Sequence, residues 1–260
     1  MPWVRAAARA GVPCASLHDV GLAPVPSDLA VDGGLCPGRH GPAGATLTGP
    51  EFVVVDLPHP RPRRRAVAPR VSRIVVSLGG GGQRGLARAI VTALRRVLPG
   101  AHVVVTAGLD VAARLETDVA GAEVVAAPDG AGRWLATADV AVVAGGLTLY
   151  EAVALGVPTV AIPVVPAQRP TVRACAARGI AVAVAGGGDD TQRAARVARH
   201  VAALAADLER RRAMRTRGPA CVDGQGAGRV ARAFRALVRG GRVGGAVRAV
   251  REPEGDPRAS

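Results

Sequence analysis

The stretch IVVSLGGGGQRGLARAIVTALRRVL, residues 74–98, decides the fold of this chain. It opens with a short apolar run of the kind buried on both faces of a sheet. Four glycines follow, and then a helical pattern over 83–98. The same unit recurs downstream. Strand patterns at 102–106, 123–126, 140–143, 159–162 and 180–184 each precede a helical one, at 111–119, 131–137, 148–155, 168–178 and 191–215. Six such alternations predict an α/β fold: a doubly wound, Rossmann-like parallel sheet covered on both faces, over residues 71–240. The handedness of the crossovers follows from chain chirality. The strand order does not follow from the sequence.

Upstream the texture differs. Residues 2–10 read as the end of a helix, and 12–17, 28–31 and 52–55 as short strands. The segment 33–50 is rich in Gly and Pro and has no period. LPHPRPRRRAVAPR, residues 57–70, has the composition of an exposed linker. The expected organisation is a small N-terminal unit over 1–56, this linker, the Rossmann-like unit over 71–240, and a flexible tail over 241–260. An amphipathic helix with arginines at 229, 232, 235 and 239 closes the folded part.

The formal charge is +14, and all 34 basic residues are arginine; the chain has no Lys and no Asn. A GC-rich coding bias explains that pattern without selection for a polyanion. The charge is also uneven: residues 71–190 hold 10 Arg against 9 acids, residues 191–260 hold 16 against 6. Only 2% of residues are aromatic, which leaves little for base stacking and argues against a nucleic-acid partner. The cysteines at 14, 36, 175 and 221 form no CxxC pair, so neither a metal site nor a disulfide framework is expected. No cofactor is expected. No apolar run reaches the ~20 residues of a membrane span, and the start lacks a signal-peptide core, so a cytoplasmic protein is expected.

Two loops could carry chemistry, because ligands of such sheets sit beyond the carboxyl ends of the strands. Gly79, Gly80, Gly81 and Gly82 let the backbone approach a phosphate in front of a helix N-terminus. The same loop fits a dinucleotide fingerprint through Gly80, Gly82 and Gly85, although no acid follows the second strand until Asp110. A tight turn without a ligand is a third reading. In AGGLTLYE, residues 144–151, Gly145 and Gly146 bare a second helix N-terminus, and Thr148 can cap that helix or bond a phosphate oxygen. Glu151 either answers the helix dipole or accepts from two ribose hydroxyls. Gln168 opens the next helix over the same crevice. Together the two loops suit a nucleoside diphosphate.

These motifs carry a resemblance. VVSLGGGG, ADVAVVAGGLTLYEAVALGVPTVAIPVVPAQ, ACAARGIAV and CVDGQGAGRVARAF resemble the C-terminal half of the PseG/SpsG nucleotide-sugar hydrolases. Those have a GT-B fold and are related to MurG-type glycosyltransferases. SLHDVGLAPVPSDLAVDGGL and LTGPEFVVVD resemble that family's upstream stretches, so residues 1–56 read as a remnant of its N-terminal domain. The resemblance implies UDP contacts at Gly79, Gly80, Gly81, Gly82, Gly146, Thr148 and Glu151, and the bared helix N-terminus adds Gly145 as a nucleotide-binding candidate. It puts Gln168 at the sugar and the loop after Val125 at the uracil. The family's glycine loop usually carries an Asp where Gly82 and Gln83 stand here, and its Asn before Gln168 is Ala167. Its GxGHxxR motif, which supplies the catalytic His, is absent. No catalytic residue is therefore assigned. His18, His40, His59, His102 and His200 read as solvated or packed, although His18 matches the first Asp of a family motif.

The leading expectation is UDP-sugar hydrolysis, provided a missing N-terminal half is supplied, in the same gene or as a separate chain. The alternatives are a MurG-type donor-binding subunit, with the basic helix at 229–239 touching an anionic membrane surface, and a non-catalytic UDP-sugar-binding fragment.

Overall fold

The structure, a computed structural model, describes residues 2–18, 25–38, 43–58, 66–79, 83–108, 119 and 121–240. Two parallel sheets organise them. The first has β1 (Ala15–Leu17), β2 (Ser27–Asp32) and β3 (Ala43–Thr48) in that order, preceded by helix α1 (Pro2–Arg9). The second holds β4 (Arg73–Ser77), β5 (His102–Ala107), β6 (Glu123–Ala126), β7 (Val140–Ala144), β8 (Thr159–Ile162) and β9 (Val182–Ala183), in the order β6-β5-β4-β7-β8-β9. The chain runs outward from β4 in one direction and then outward from β7 in the other, so the sheet has a topological switch point between these two strands.

Successive strand residues serve opposite cores. Ile74, Val76, Val103, Val105, Val140 and Val142 pack under helices α2 (Arg84–Val97) and α6 (Asp190–Ala206). Val75, Val104, Ala141 and Val143 face the other way. They meet Leu135 of α3 (Gly132–Leu135), Leu149 of α4 (Leu147–Leu155) and Cys175 of α5 (Arg169–Ala177). A strand buried on both faces has no polar side to show, and this is why these strands read as continuous apolar runs.

Several expectations change. The segment 33–50 contains strand β3, and the expected strand at 52–55 is instead a single 3-10 turn, Pro50–Phe52, followed by irregular chain. The helix expected over 191–215 is two helices, α6 and α7 (Leu208–Cys221). The break falls at Asp207, whose carboxylate accepts from the Arg210 N–H at 2.8 Å and caps α7. The helix expected at 111–119 lies outside the described residues except for buried Val119, as does the tail over 241–260.

The last helix, α8 (Gly226–Val238), leaves the large sheet and packs on the small one. Val230, Phe234 and Leu237 meet Leu29, Val31 and Leu47. Arg229 pins its start by donating to both Asp223 carboxylate oxygens, at 2.8 and 2.6 Å, and to the Glu51 carbonyl at 2.9 Å. The apolar face offered to a membrane in the sequence reading is thus spent on an internal contact. Among the described residues no helix is long and apolar enough to cross a membrane. Gly33 and Gly226 both press on the Val53 backbone, where a Cβ on either would collide. Fully buried Arg211 of α7 donates to the carbonyls of Ala68 (2.6 Å) and Pro69 (2.8 Å), fixing the chain just before β4.

Candidate functional site

The switch point opens between Ser77, at the end of β4, and Ala144, at the end of β7. Each strand runs through glycine into a helix. Gly79 takes a left-handed φ of 89°, which suits glycine alone, and Gly80, Gly81 and Gly82 lie outside the described residues. The helix behind them, α2, begins at Arg84 with no side-chain cap and no acid in its first turn. Helix α4 likewise begins at Leu147 with no side-chain cap and no acid in its first turn. In α4 the Leu149 N–H donates to the Gly146 carbonyl at 3.0 Å, and the positive end of a helix dipole favours an anion beside the first-turn amides that remain. The two helices follow the neighbouring strands β4 and β7.

The side chains around α4 take more definite roles than their residue types alone imply. The cap position is Gly146 in extended conformation, so half-buried Thr148 is the second helical residue and not the cap. Gly145 is required by packing: a Cβ there would stand 2.6 Å from the Val172 Cγ2 and 2.9 Å from the Gln168 Cβ. Gly146 is open, with only the Gln168 Nε2 in reach of a Cβ, at 3.6 Å. Gln168 ends a 3-10 turn (Pro166–Gln168) before α5. Its Oε1 accepts from the Gly145 N–H at 3.3 Å and the Val164 N–H at 2.9 Å. It staples the loops after β7 and β8 together and leaves its amide nitrogen toward the crevice.

Glu151 sits in the second turn of α4, not the first, so the helix dipole does not account for it. Its side chain is buried, with 7% exposure, and its carboxylate has no hydrogen-bond partner among the described residues. Burial first, and then the negative charge of Asp56, push its pKa up to about 7. Negative charge that burial has desolvated is costly to keep. Tyr150 beside it serves the structure: its hydroxyl oxygen accepts from the Leu35 N–H at 2.9 Å and ties the loop after β2 to α4.

Two cavities lie among these elements. One of about 260 Å³ is lined by Asp56, Leu57, Pro58, the loop Ala127, Pro128, Asp129, Gly130, and then Gly132 and Arg133. The loop after Val125 borders this open space, while Val125 itself packs against the core. Asp56, Leu57 and Pro58 were not singled out in the sequence, since they fall at the edge of a Pro/Arg-rich stretch that reads as solvated. The other cavity, of about 490 Å³, lies between the two sheets and includes His18 in its wall.

No protein-family model and no curated protein matches the chain. Solved structures do. MurG of Acinetobacter baumannii aligns with a TM-score of 0.59 at 14% identity, over 91% of this chain and 77% of that one. Spinosyn rhamnosyltransferase SpnG, solved with thymidine diphosphate, aligns with a TM-score of 0.53 at 20% identity, over 80% and 55%. The calicheamicin glycosyltransferase CalG4 aligns with a TM-score of 0.53 at 22% identity, over 82% and 53%. The chain thus spans about half the length of the last two. At such identities the likeness is one of fold. The parallel, Rossmann-like α/β arrangement matches that of these GT-B neighbours. SpnG and CalG4 are transferases by name, and nothing among these neighbours supports the hydrolase expectation.

Proposed function

We propose that this chain is the donor-binding part of a GT-B glycosyltransferase and holds a nucleoside diphosphate sugar, UDP-linked by resemblance, across the β4–β7 switch point. The observation that carries the reading is Glu151. It is a buried carboxylate one turn inside a helix that opens on Gly146 without a side-chain cap. In this reading the diphosphate lies between the starts of α2 and α4, where first-turn amides satisfy its oxygens. Two ribose hydroxyls donate to Glu151 and relieve its unsatisfied state. The base enters the cavity between Asp56 and Asp129. The Gln168 Nε2 is the group left to meet the sugar, since the Oε1 is engaged.

The chemistry this geometry supports is stabilisation of a leaving group. As an acceptor oxygen bonds to the anomeric carbon, the diphosphate departs with the bonding electrons, and preoriented amides hold its charge without reorganisation. The transferase reading replaces hydrolysis as the main one. A further polypeptide portion that completes the N-terminal half remains part of the proposal.

Calorimetric titration of UDP, with NAD and a Glu151→Ala variant as controls, tests this reading. Saturable UDP binding that NAD does not reproduce and that the variant loses is the expected result. Equal UDP affinity in the variant would sink the role given to Glu151.

A further inference from the structure

Gln168 owes its orientation in part to one peptide unit, and that unit has a second partner. The Val164 N–H donates to the Gln168 Oε1 at 2.9 Å. The carbonyl of the same peptide bond, that of Pro163, accepts from the Arg193 Nη2 at 3.2 Å. Arg193 stands near the start of α6, its side chain only 12% exposed, and its Nη1 donates to the Asp190 carboxylate at 3.4 Å. Its Nε is buried and meets no acceptor among the described residues. Pro163 is buried, and the loop after β9 closes on it: a Cβ on Gly186 would stand 2.8 Å from the Pro163 Cγ and 3.1 Å from its carbonyl oxygen. The 163–164 peptide is thus clamped between a guanidinium on its oxygen and a carboxamide on its N–H.

A largely buried guanidinium is a costly way to tie two loops. Two long hydrogen bonds offset little of its desolvation, and an apolar side chain of similar volume would fill the same space without that cost. What the cation adds here is polarity. Positive charge at the Pro163 carbonyl draws electron density from the peptide and makes the Val164 N–H a stronger donor, since hydrogen bonds in series reinforce one another. The Gln168 Oε1 holds this N–H and that of Gly145, at 3.3 Å, and the density it yields to them makes the Nε2 protons stronger donors in turn. The same contacts fix which way the carboxamide faces, because a flipped amide would aim its NH2 at two N–H groups.

We infer that Arg193 is a positioning residue for Gln168. Acting through the 163–164 peptide, it holds the carboxamide with Nε2 toward the crevice and makes that nitrogen a better donor to a sugar hydroxyl. The consequence for the sugar rests on the donor-binding reading above, whereas the clamp on Gln168 does not. Arg193 itself touches no part of the donor in this account, so its effect falls on the sugar and reaches it only by way of Gln168.

The test uses the full chain and the variants Arg193→Met and Arg193→Lys, with Arg193→Gln, a neutral donor, standing in should the Met variant not fold. Amide exchange followed by NMR reads the clamp without a ligand. In Arg193→Met the Val164 and Gly145 N–H groups should exchange about tenfold faster while Val75, inside β4, keeps its rate, and Lys should restore slow exchange. Calorimetry with UDP, UDP-glucose and UDP-N-acetylglucosamine reads the consequence. The ratio of UDP-sugar to UDP affinity should fall about threefold or more in Arg193→Met, recover in Arg193→Lys, and fall no further when Arg193→Met is added to Gln168→Leu. Exchange at Val164 and Gly145 equal to wild type in the Met or Gln variant overturns the inference. So does a loss of sugar affinity that is as large in the Gln168→Leu background, or UDP binding to which neither sugar adds affinity in wild type. Faster exchange in a protein that binds no UDP supports the clamp and removes the donor reading alone.

Discussion

Replacing Glu151 by Gln separates what this carboxylate costs the fold from what it gives a ligand. In the folded protein its pKa stands at about 7 instead of an ordinary 4.5, mainly through burial. The folded state therefore holds the proton more tightly than the unfolded chain between those values. Stability falls as pH rises through that window and stays reduced above it. Each pH unit between the two pKa values is worth about 1.4 kcal/mol, so the full penalty at pH 8 is about 3 kcal/mol. Gln keeps the shape and removes the charge. The variant should match wild type near pH 4.5 and exceed it by about 3 kcal/mol at pH 8, or roughly 6–12 °C in Tm for a chain of this size. Thermal melts of both proteins across pH 4.5–8 read this directly. UDP affinity should move the opposite way, because an amide is a weaker acceptor for two hydroxyls. A variant that is no more stable than wild type at pH 8, or whose gain is the same at every pH, refutes the reasoning.

Three further outcomes follow from the same geometry. Gln168→Leu strands two backbone donors, Gly145 and Val164, and should cost about 2 kcal/mol in denaturant melts, whereas Gln168→Glu keeps the accepting oxygen and stays within about 1 kcal/mol. If the amide nitrogen meets the sugar, that Glu variant still binds UDP while losing affinity for a UDP-sugar. Gly145→Ala drives a methyl against Val172 and should cost about 1–3 kcal/mol, measured as a fall in urea midpoint at unchanged slope. Arg211→Ala abandons the Ala68 and Pro69 carbonyls and should cost about 3 kcal/mol, with faster proteolysis near residues 66–70 as its local signature.

The large sheet was legible because its strands are buried on both faces and its helices follow at once, so local pattern and global fold agree. Its order was not, since nothing in Ile74–Ser77 states that β5 and β7 are the neighbours. Strand β3, AGATLT, escaped because small residues and glycine look like loop when no partner strand is in view. The 52–55 run misled in the other direction: β-type side chains there fill a cleft between two units without pairing. Asp207 carried a readable signal, an N-cap three residues before Arg210, and a fuller scan for caps would have split the helix. The apolar face of α8 was seen, but its partners lie about two hundred residues upstream, beyond the reach of periodicity. At the site, Glu151 was found as a residue type at a helix start. Its burial, which turns it from a dipole partner into an unsatisfied acceptor, is a tertiary fact. The same holds for Gln168, whose oxygen is occupied only because two loops meet there.

The most direct test of the account is a structure of the chain bound to UDP. The account predicts the diphosphate between the starts of α2 and α4, both ribose hydroxyls within hydrogen-bond distance of the Glu151 carboxylate, and the base between Asp56 and Asp129. Nucleotide bound elsewhere, or bound there with Glu151 still without a hydroxyl partner, would contradict it.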